Sequence, residues 1–310
     1  MAGSNKYAIH SDFAKIPSVN LRFSPLIVAI LNAISRLVRF FQKRRFDLTV
    51  TPHVIESGTG QAVDVKVLTP HNIKPNAPAL VYYHGGGFAL TYAALHLKSA
   101  ERYANEAGCI VVFVCYRLAM KHPFPAGFDD CYAALQWVAD NAAELGIDRE
   151  RVAVGGDSAG GALAAGVAQK CRDESLLPLR GQLLIYPVLD SRCVTPSAQE
   201  FTDVPLWNAV SNRRMWDMYL RSFDRQSPPA YAAPGLGDAT GLPATYIETA
   251  EFDPLRDEAL NYGKALRDSG NDPVMNETLG TIHGYDGVGD SEIAKASMTQ
   301  RIAFLRSVFA

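Results

Sequence analysis

Long hydrophobic runs are missing from this chain of 310 residues: the most apolar early stretch, Leu26 to Leu31, stops at Asn32, far short of the ~20 residues that cross a bilayer. Integral membrane association is therefore not expected. Cysteine is sparse, and Cys109, Cys115, Cys131, Cys171 and Cys193 form an odd, scattered set with no CxxC pair. Buried free thiols in a reducing, cytoplasmic compartment are expected, in preference to disulfides or a zinc site. There is no HExxH, and His10, His53, His71, His96 and His122 stand apart from one another, so no metal is expected. No GxGxxG is present for a dinucleotide, and although Gly156 and Gly161 have P-loop spacing, Ala162 occupies the position of the essential lysine. No cofactor is expected. Charge of one sign is also lacking: 30 Lys plus Arg against 32 Asp plus Glu give a formal net charge of -2, which excludes an overall basic field for nucleic acid. The first six residues lack the basic-then-apolar pattern of a secretion signal, so export is not indicated.

What the chain does have is 48% hydrophobic residues, ample for a buried core, and four short motifs in a telling order. The apolar run Arg151-Val152-Ala153-Val154 leads to Gly156-Asp157-Ser158-Ala159-Gly160, and Gly161-Ala162-Leu163-Ala164-Ala165 then reads as a helix start. A serine on a sharp strand-to-helix turn, with Gly156 and Gly160 on either side to allow the strained backbone, is the arrangement that exposes Oγ for attack on a carbonyl. The alternative is an ordinary Gly/Ser turn at a strand end. Upstream, Ala79-Leu80-Val81-Tyr82-Tyr83 runs into His84-Gly85-Gly86-Gly87-Phe88. Adjacent glycines cost backbone entropy, and in acyl transfer they let backbone N–H groups point at the developing oxyanion, joined by the N–H of Ala159. His84 is expected to brace this loop and not to act as base.

Downstream, the buried-strand pattern Pro243 to Ala250 is followed by Glu251-Phe252-Asp253-Pro254, and after a further strand pattern comes Thr281-Ile282-His283-Gly284-Tyr285. A carboxylate in a loop after a strand can orient a histidine and stabilise its imidazolium. Asp253, fixed by Pro254, fits that role, whereas Asp257 and Glu258 fall in the helix that begins there and suit its first turn.

These residues resemble the hormone-sensitive-lipase-like branch of the α/β-hydrolases, carboxylesterases with an HGGG motif. The similarity runs from about position 78 to 290 and takes in Tyr116-Arg117-Leu118-Ala119, Pro123-Phe124-Pro125-Ala126 and Tyr186-Pro187. It implies Ser158 as nucleophile, His283 as general base and acid, Asp253 as orienting acid, and Gly85, Gly86 and Ala159 as oxyanion-hole donors, with Gly87 supporting the loop. The chain departs from the pattern at Met120-Lys121, where the family usually has Pro-Glu, and at Tyr285, where Phe is commoner. Hydrolysis of short acyl esters through an acyl-enzyme is the expected activity, on a small-molecule substrate. An amidase, thioesterase or lactonase could use the same triad, and a protein that kept the pocket but not the chemistry would be a ligand receptor.

Strand patterns at 46–56, 62–69, 79–84, 109–116, 151–155, 182–187, 243–250 and 273–279 alternate with helical ones at 95–107, 128–143, 160–172, 257–269 and 291–308. They predict an α/β fold with a mostly parallel eight-stranded sheet flanked by helices, opened by a hairpin around Ser57-Gly58-Thr59-Gly60. Two segments lie outside that alternation and are expected to form a helical cap: residues 1–45, and an aromatic-rich insertion at about 191–229 within the catalytic unit 46–310. In the insertion, Trp216, Tyr219 and Phe223 share one helical face. In the first segment, Ser24-Pro25 reads as a helix start, and Ile27, Ile30, Leu31, Ile34, Val38 and Phe41 recur at helical spacing. That apolar stripe predicts a helix packed on the protein; its rival is a helix lying on a membrane surface with the basic tail Lys43-Arg44-Arg45. The 273–279 strand, with a proline at its start, is expected at the sheet edge, where it could pair two copies into a homodimer.

Overall fold

In the computed structural model the described residues are 6–41, 47–288 and 290–310. Eight strands form one sheet: β1 (Thr49–Glu56), β2 (Ala62–Thr69), β3 (Ala77–Tyr83), β4 (Ile110–Cys115), β5 (Ile147–Asp157), β6 (Leu179–Ile185), β7 (Ala244–Phe252) and β8 (Val274–Ile282), in the order β1-β2-β4-β3-β5-β6-β7-β8. β1 and β2 form the expected antiparallel hairpin, β2 joins β4 antiparallel, and every later pairing is parallel. β3 is buried along its whole length, which is why its sequence is a continuous apolar run and not an alternating one.

Alternate side chains of the central strands feed two cores. Val81, Val112 and Val154 face a core closed by α3 (Ala126–Asn141), α4 (Ala159–Asp173) and α7 (Arg256–Asp268). Leu80, Phe113 and Ala153 face the other, closed by α2 (Ala94–Ala107) and α8 (Glu292–Phe309). β5 is much longer than its Arg151–Gly155 pattern predicts, because Ile147 pairs with Ala77 of β3 before the apolar run begins. The insertion folds into α5 (Pro196–Glu200) and α6 (Ala209–Tyr219), so Trp216 and Tyr219 share a buried face while Phe223 lies beyond the helix end.

One expectation fails in an informative way. α1 (Pro25–Phe41) forms where predicted, with Ser24 Oγ accepting the Ile27 N–H, but it does not lay its apolar stripe on the protein. Ile27, Ile30, Ile34 and Val38 are exposed, and the inward side carries Val28, Asn32 and Arg39. The Asn32 amide donates to the Ala89 carbonyl at 3.1 Å and accepts from the Thr91 N–H at 2.8 Å, so polar bonds fix the helix's rotation. Lys43-Arg44-Arg45 lie outside the described residues.

Candidate active site

The sharp turn after β5 follows from close packing. A Cβ on Gly160 would stand 2.0 Å from the Tyr83 carbonyl oxygen, and one on Gly156 would stand 2.4 Å from the backbone of Gly160. Only glycine lets β5 turn into α4 here. Between them Ser158 adopts φ +55°, ψ −119°, a left-handed conformation unfavourable for any residue with a side chain, and four backbone bonds hold it there. Its N–H donates to Ile185 O, and its carbonyl accepts from Gly161, Ala162 and Val188.

β7 and β8 deliver the other groups. His283, directly after β8, places Nε2 2.9 Å from Ser158 Oγ and Nδ1 2.7 Å from Asp253 Oδ2. Asp253 is fully buried, and its other oxygen accepts the Leu255 N–H. With Nδ1–H donating to that carboxylate, Nε2 is left to accept from the serine hydroxyl. The neighbouring acids are engaged elsewhere. Asp257 bonds the Ser197 N–H and Arg256, while Glu258 accepts the Leu189 N–H, and burial pushes its carboxyl well above the usual range. The histidine ring is braced edge-on by Tyr186, 4.7 Å between centroids, whose hydroxyl donates to Asp286. Asp286 is in turn held by Arg301 of α8, a buried guanidinium that also bonds Glu248 of β7.

The glycine loop lies beside the serine. Gly86 has φ +119°, and a Cβ on Gly85 would stand 2.2 Å from Asp157 Oδ2, so both positions demand glycine. Ala159 opens α4, where the first-turn N–H groups have no partner within the helix. His84 braces the loop: its Nδ1 bonds Gly85 O at 2.7 Å, its ring stacks on Tyr116 at 4.4 Å, and Tyr116 donates to His84 O. Burial, with the nearby His96 adding to it, lowers the His84 pKa to about 3.

That shift has a measurable consequence. A ring that stays neutral in the fold but protonates near 6.5 when unfolded makes the unfolded chain bind more protons between those values. Stability is then lost as pH falls from about 6.5 towards 3, at up to about 1.4 kcal/mol per pH unit. The stability difference between wild type and His84→Gln should shrink as pH is lowered from neutral to about 4. Melting curves showing a difference independent of pH would contradict this role for burial.

Beneath Gly85 lies a group that local spacing did not reveal. Asp157 accepts from Tyr82 at 2.7 Å and from His96 Nε2 at 3.2 Å, while His96 Nδ1 accepts the Ala93 N–H. Burial alone would raise the Asp157 carboxyl, but His96 and Tyr82 outweigh it and hold the pKa at about 2. The partners are 61 and 75 positions away in the chain, and the only sequence signal was an acid inside the serine motif.

Ser158, His283, Gly86 and Gly87 line a cavity of about 170 Å³ whose remaining wall includes Leu21 and Trp207. Those two come from the segments outside the α/β alternation, which pack on each other: Leu21 N–H donates to Ser211 Oγ, Asn208 donates to Asn20, and Phe23 meets Trp207 edge to face. Among the described residues no group of three or more His, Cys, Asp or Glu could hold a metal ion.

Comparison with known proteins agrees with this architecture. A family model described as the alpha/beta hydrolase fold matches residues 80–286. Carboxylesterase NlhH of Mycobacterium tuberculosis is 42% identical over 230 residues, covering 72% of this chain and 71% of its own length. An ethyl acetate hydrolase of Pseudomonas putida is 33% identical over 74% of this chain and 73% of its own. Among solved structures, a bacterial heroin esterase superposes with a TM-score of 0.87 at 35% identity, covering 95% of both chains. Esterase LipW from Mycobacterium marinum gives 0.89 at 32% identity, covering 97% of this chain and 96% of its own.

Proposed function

Because this chain belongs to the α/β-hydrolase family, in its hormone-sensitive-lipase-like branch, and is a carboxylic ester hydrolase, we propose that it cleaves short acyl esters through an acyl-enzyme on Ser158. Ser158 Oγ attacks the ester carbonyl while His283 Nε2 takes its proton. Asp253 keeps the ring in the accepting tautomer and stabilises the imidazolium. The N–H groups of Gly85, Gly86 and Ala159 receive the oxyanion, next to the N-terminus of α4, where negative charge is favoured. The histidine then protonates the leaving alcohol, and a water releases the acid by the same route. The observation that carries this reading is the chain of contacts at 2.9 and 2.7 Å from Ser158 through His283 to buried Asp253, opening on the cavity.

The preference for short acyl groups rests on size. At about 170 Å³ the cavity is below the roughly 300–1,000 Å³ typical of small-molecule sites. The 1–45 segment and the 191–229 insertion would act as the cap that closes it. With p-nitrophenyl esters of graded length, kcat/KM should peak at acetate to butyrate and fall for decanoate and beyond. A steady rise to long chains, with activation by emulsified triglyceride, would overturn the preference. Matched amide, thioester and lactone substrates in the same panel separate ester hydrolysis from the other reactions open to a serine triad.

Five free cysteines, four of them buried, favour the cytoplasm. A homodimer through β8 is the second part of the proposal. β8 is the last strand of the sheet, starts after Pro273 and leaves Val274 and Leu279 exposed, while the His10 N–H takes the Gly280 carbonyl and so limits pairing to the earlier residues. Light scattering should give twice the monomer mass, reverting to monomer when Met275 is replaced by proline. A monomer at micromolar concentration would reject it.

A further inference from the structure

We propose that the outward face of α1 docks this protein on the surface of an anionic lipid bilayer. Leu26, Ile27, Ile30, Ile34, Leu37 and Val38 are all 40 to 71% exposed and fall on one side of the helix. An amphipathic helix of a soluble domain ordinarily turns such a stripe inward. Here the opposite side is turned in and bolted down, by Asn32 to Ala89 and Thr91, and by Arg39, which bonds the Tyr92 carbonyl and sits 4.0 Å over the Tyr92 ring. Rotating the stripe inward would break those bonds, so the exposed aliphatic face belongs to the folded state and calls for an apolar covering.

Charge decides between a bilayer and a second copy. From Phe13 to Phe46 the chain carries Lys15, Arg22, Arg36, Arg39, Lys43, Arg44 and Arg45 and not one Asp or Glu, although acids outnumber Lys plus Arg in the chain as a whole. Two copies pairing through α1 would bring two such segments together with no acid in either to complement the other. A bilayer with anionic headgroups supplies both the apolar layer and the missing charge, and a helix with an aliphatic face in a basic segment lies in the interface plane. No helix among the described residues is long and apolar enough to cross the membrane, so the contact is peripheral. Leu21, in the stretch leading into α1, also lines the active-site cavity, so the chain entering the docking helix runs along the site.

Sedimentation of the full chain with phosphatidylcholine vesicles, with and without phosphatidylglycerol, tests this directly. Partitioning should be at least about tenfold stronger to the anionic vesicles and should weaken at high salt. Ile30→Gln with Ile34→Gln should lower it by about tenfold or more, with the melting temperature and p-nitrophenyl acetate hydrolysis within about twofold of wild type. Failure to bind anionic vesicles would overturn the proposal. So would a solution dimer that these two substitutions dissociate, since the covering would then be a second copy.

Discussion

Ser158→Ala is expected to abolish ester turnover, by roughly 10⁶-fold in kcat on the scale known for removal of a triad serine, with the fold and melting temperature retained. The substitution deletes one oxygen. Its backbone bonds to Ile185, Gly161, Ala162 and Val188 do not involve the side chain, and the cavity beside it keeps its shape. Substrate binding should therefore survive when turnover does not, and a non-hydrolysed ester should still compete in a binding assay. A folded Ser158→Ala protein that hydrolyses esters near the wild-type rate would remove the acyl-enzyme from the mechanism.

Asp253→Asn should be the second largest effect, a loss in kcat of ~10⁴ from a tautomer error of the kind measured in a serine protease triad. An amide in place of the carboxylate can donate to Nδ1, which drives the ring proton to Nε2, where it blocks acceptance from the serine. Asp257→Asn provides the internal control. Its carboxylate bonds Ser197 N–H and Arg256, not the histidine, so kcat should change by less than about tenfold. The reverse ranking of the two variants in steady-state kinetics would move the acid from 253 to 257.

Much of this was readable because the chemistry is written in short local patterns. A serine between glycines at a strand end, a glycine triplet after another strand and a His-Gly after a third each depend on neighbours a few residues apart. Parallel topology brings the carboxyl ends of those strands to one edge of the sheet. The eight strands were legible for the same reason, and the extension of β5 to Ile147 was not, because Asp148, Arg149 and Glu150 are polar and Ile147 is joined to the sheet by its pairing with Ala77 across a register shift. The Asp157–His96–Tyr82 group was hidden by distance along the chain. α1 differs from its sequence pattern in which face it buries. Periodicity identifies which residues share a face but says nothing about what that face meets, and Asn32 and Arg39 decide the outcome through bonds to Ala89, Thr91 and Tyr92, residues far away in sequence.

The clamp of Arg301 on Asp286 and Glu248 imposes an order on the making of the enzyme. His283 is held by Asp253 on one side and braced by Tyr186 on another, Tyr186 is held by Asp286 and Asp286 by Arg301, so one of the two supports of the base ends on a guanidinium that lies downstream of every residue of the site. A nascent chain in which Ser158, Asp253 and His283 have already emerged still lacks the Arg301 end of this brace until α8 has been translated and docked. The brace on the base is complete only when the sheet has its last strand and its covering helix.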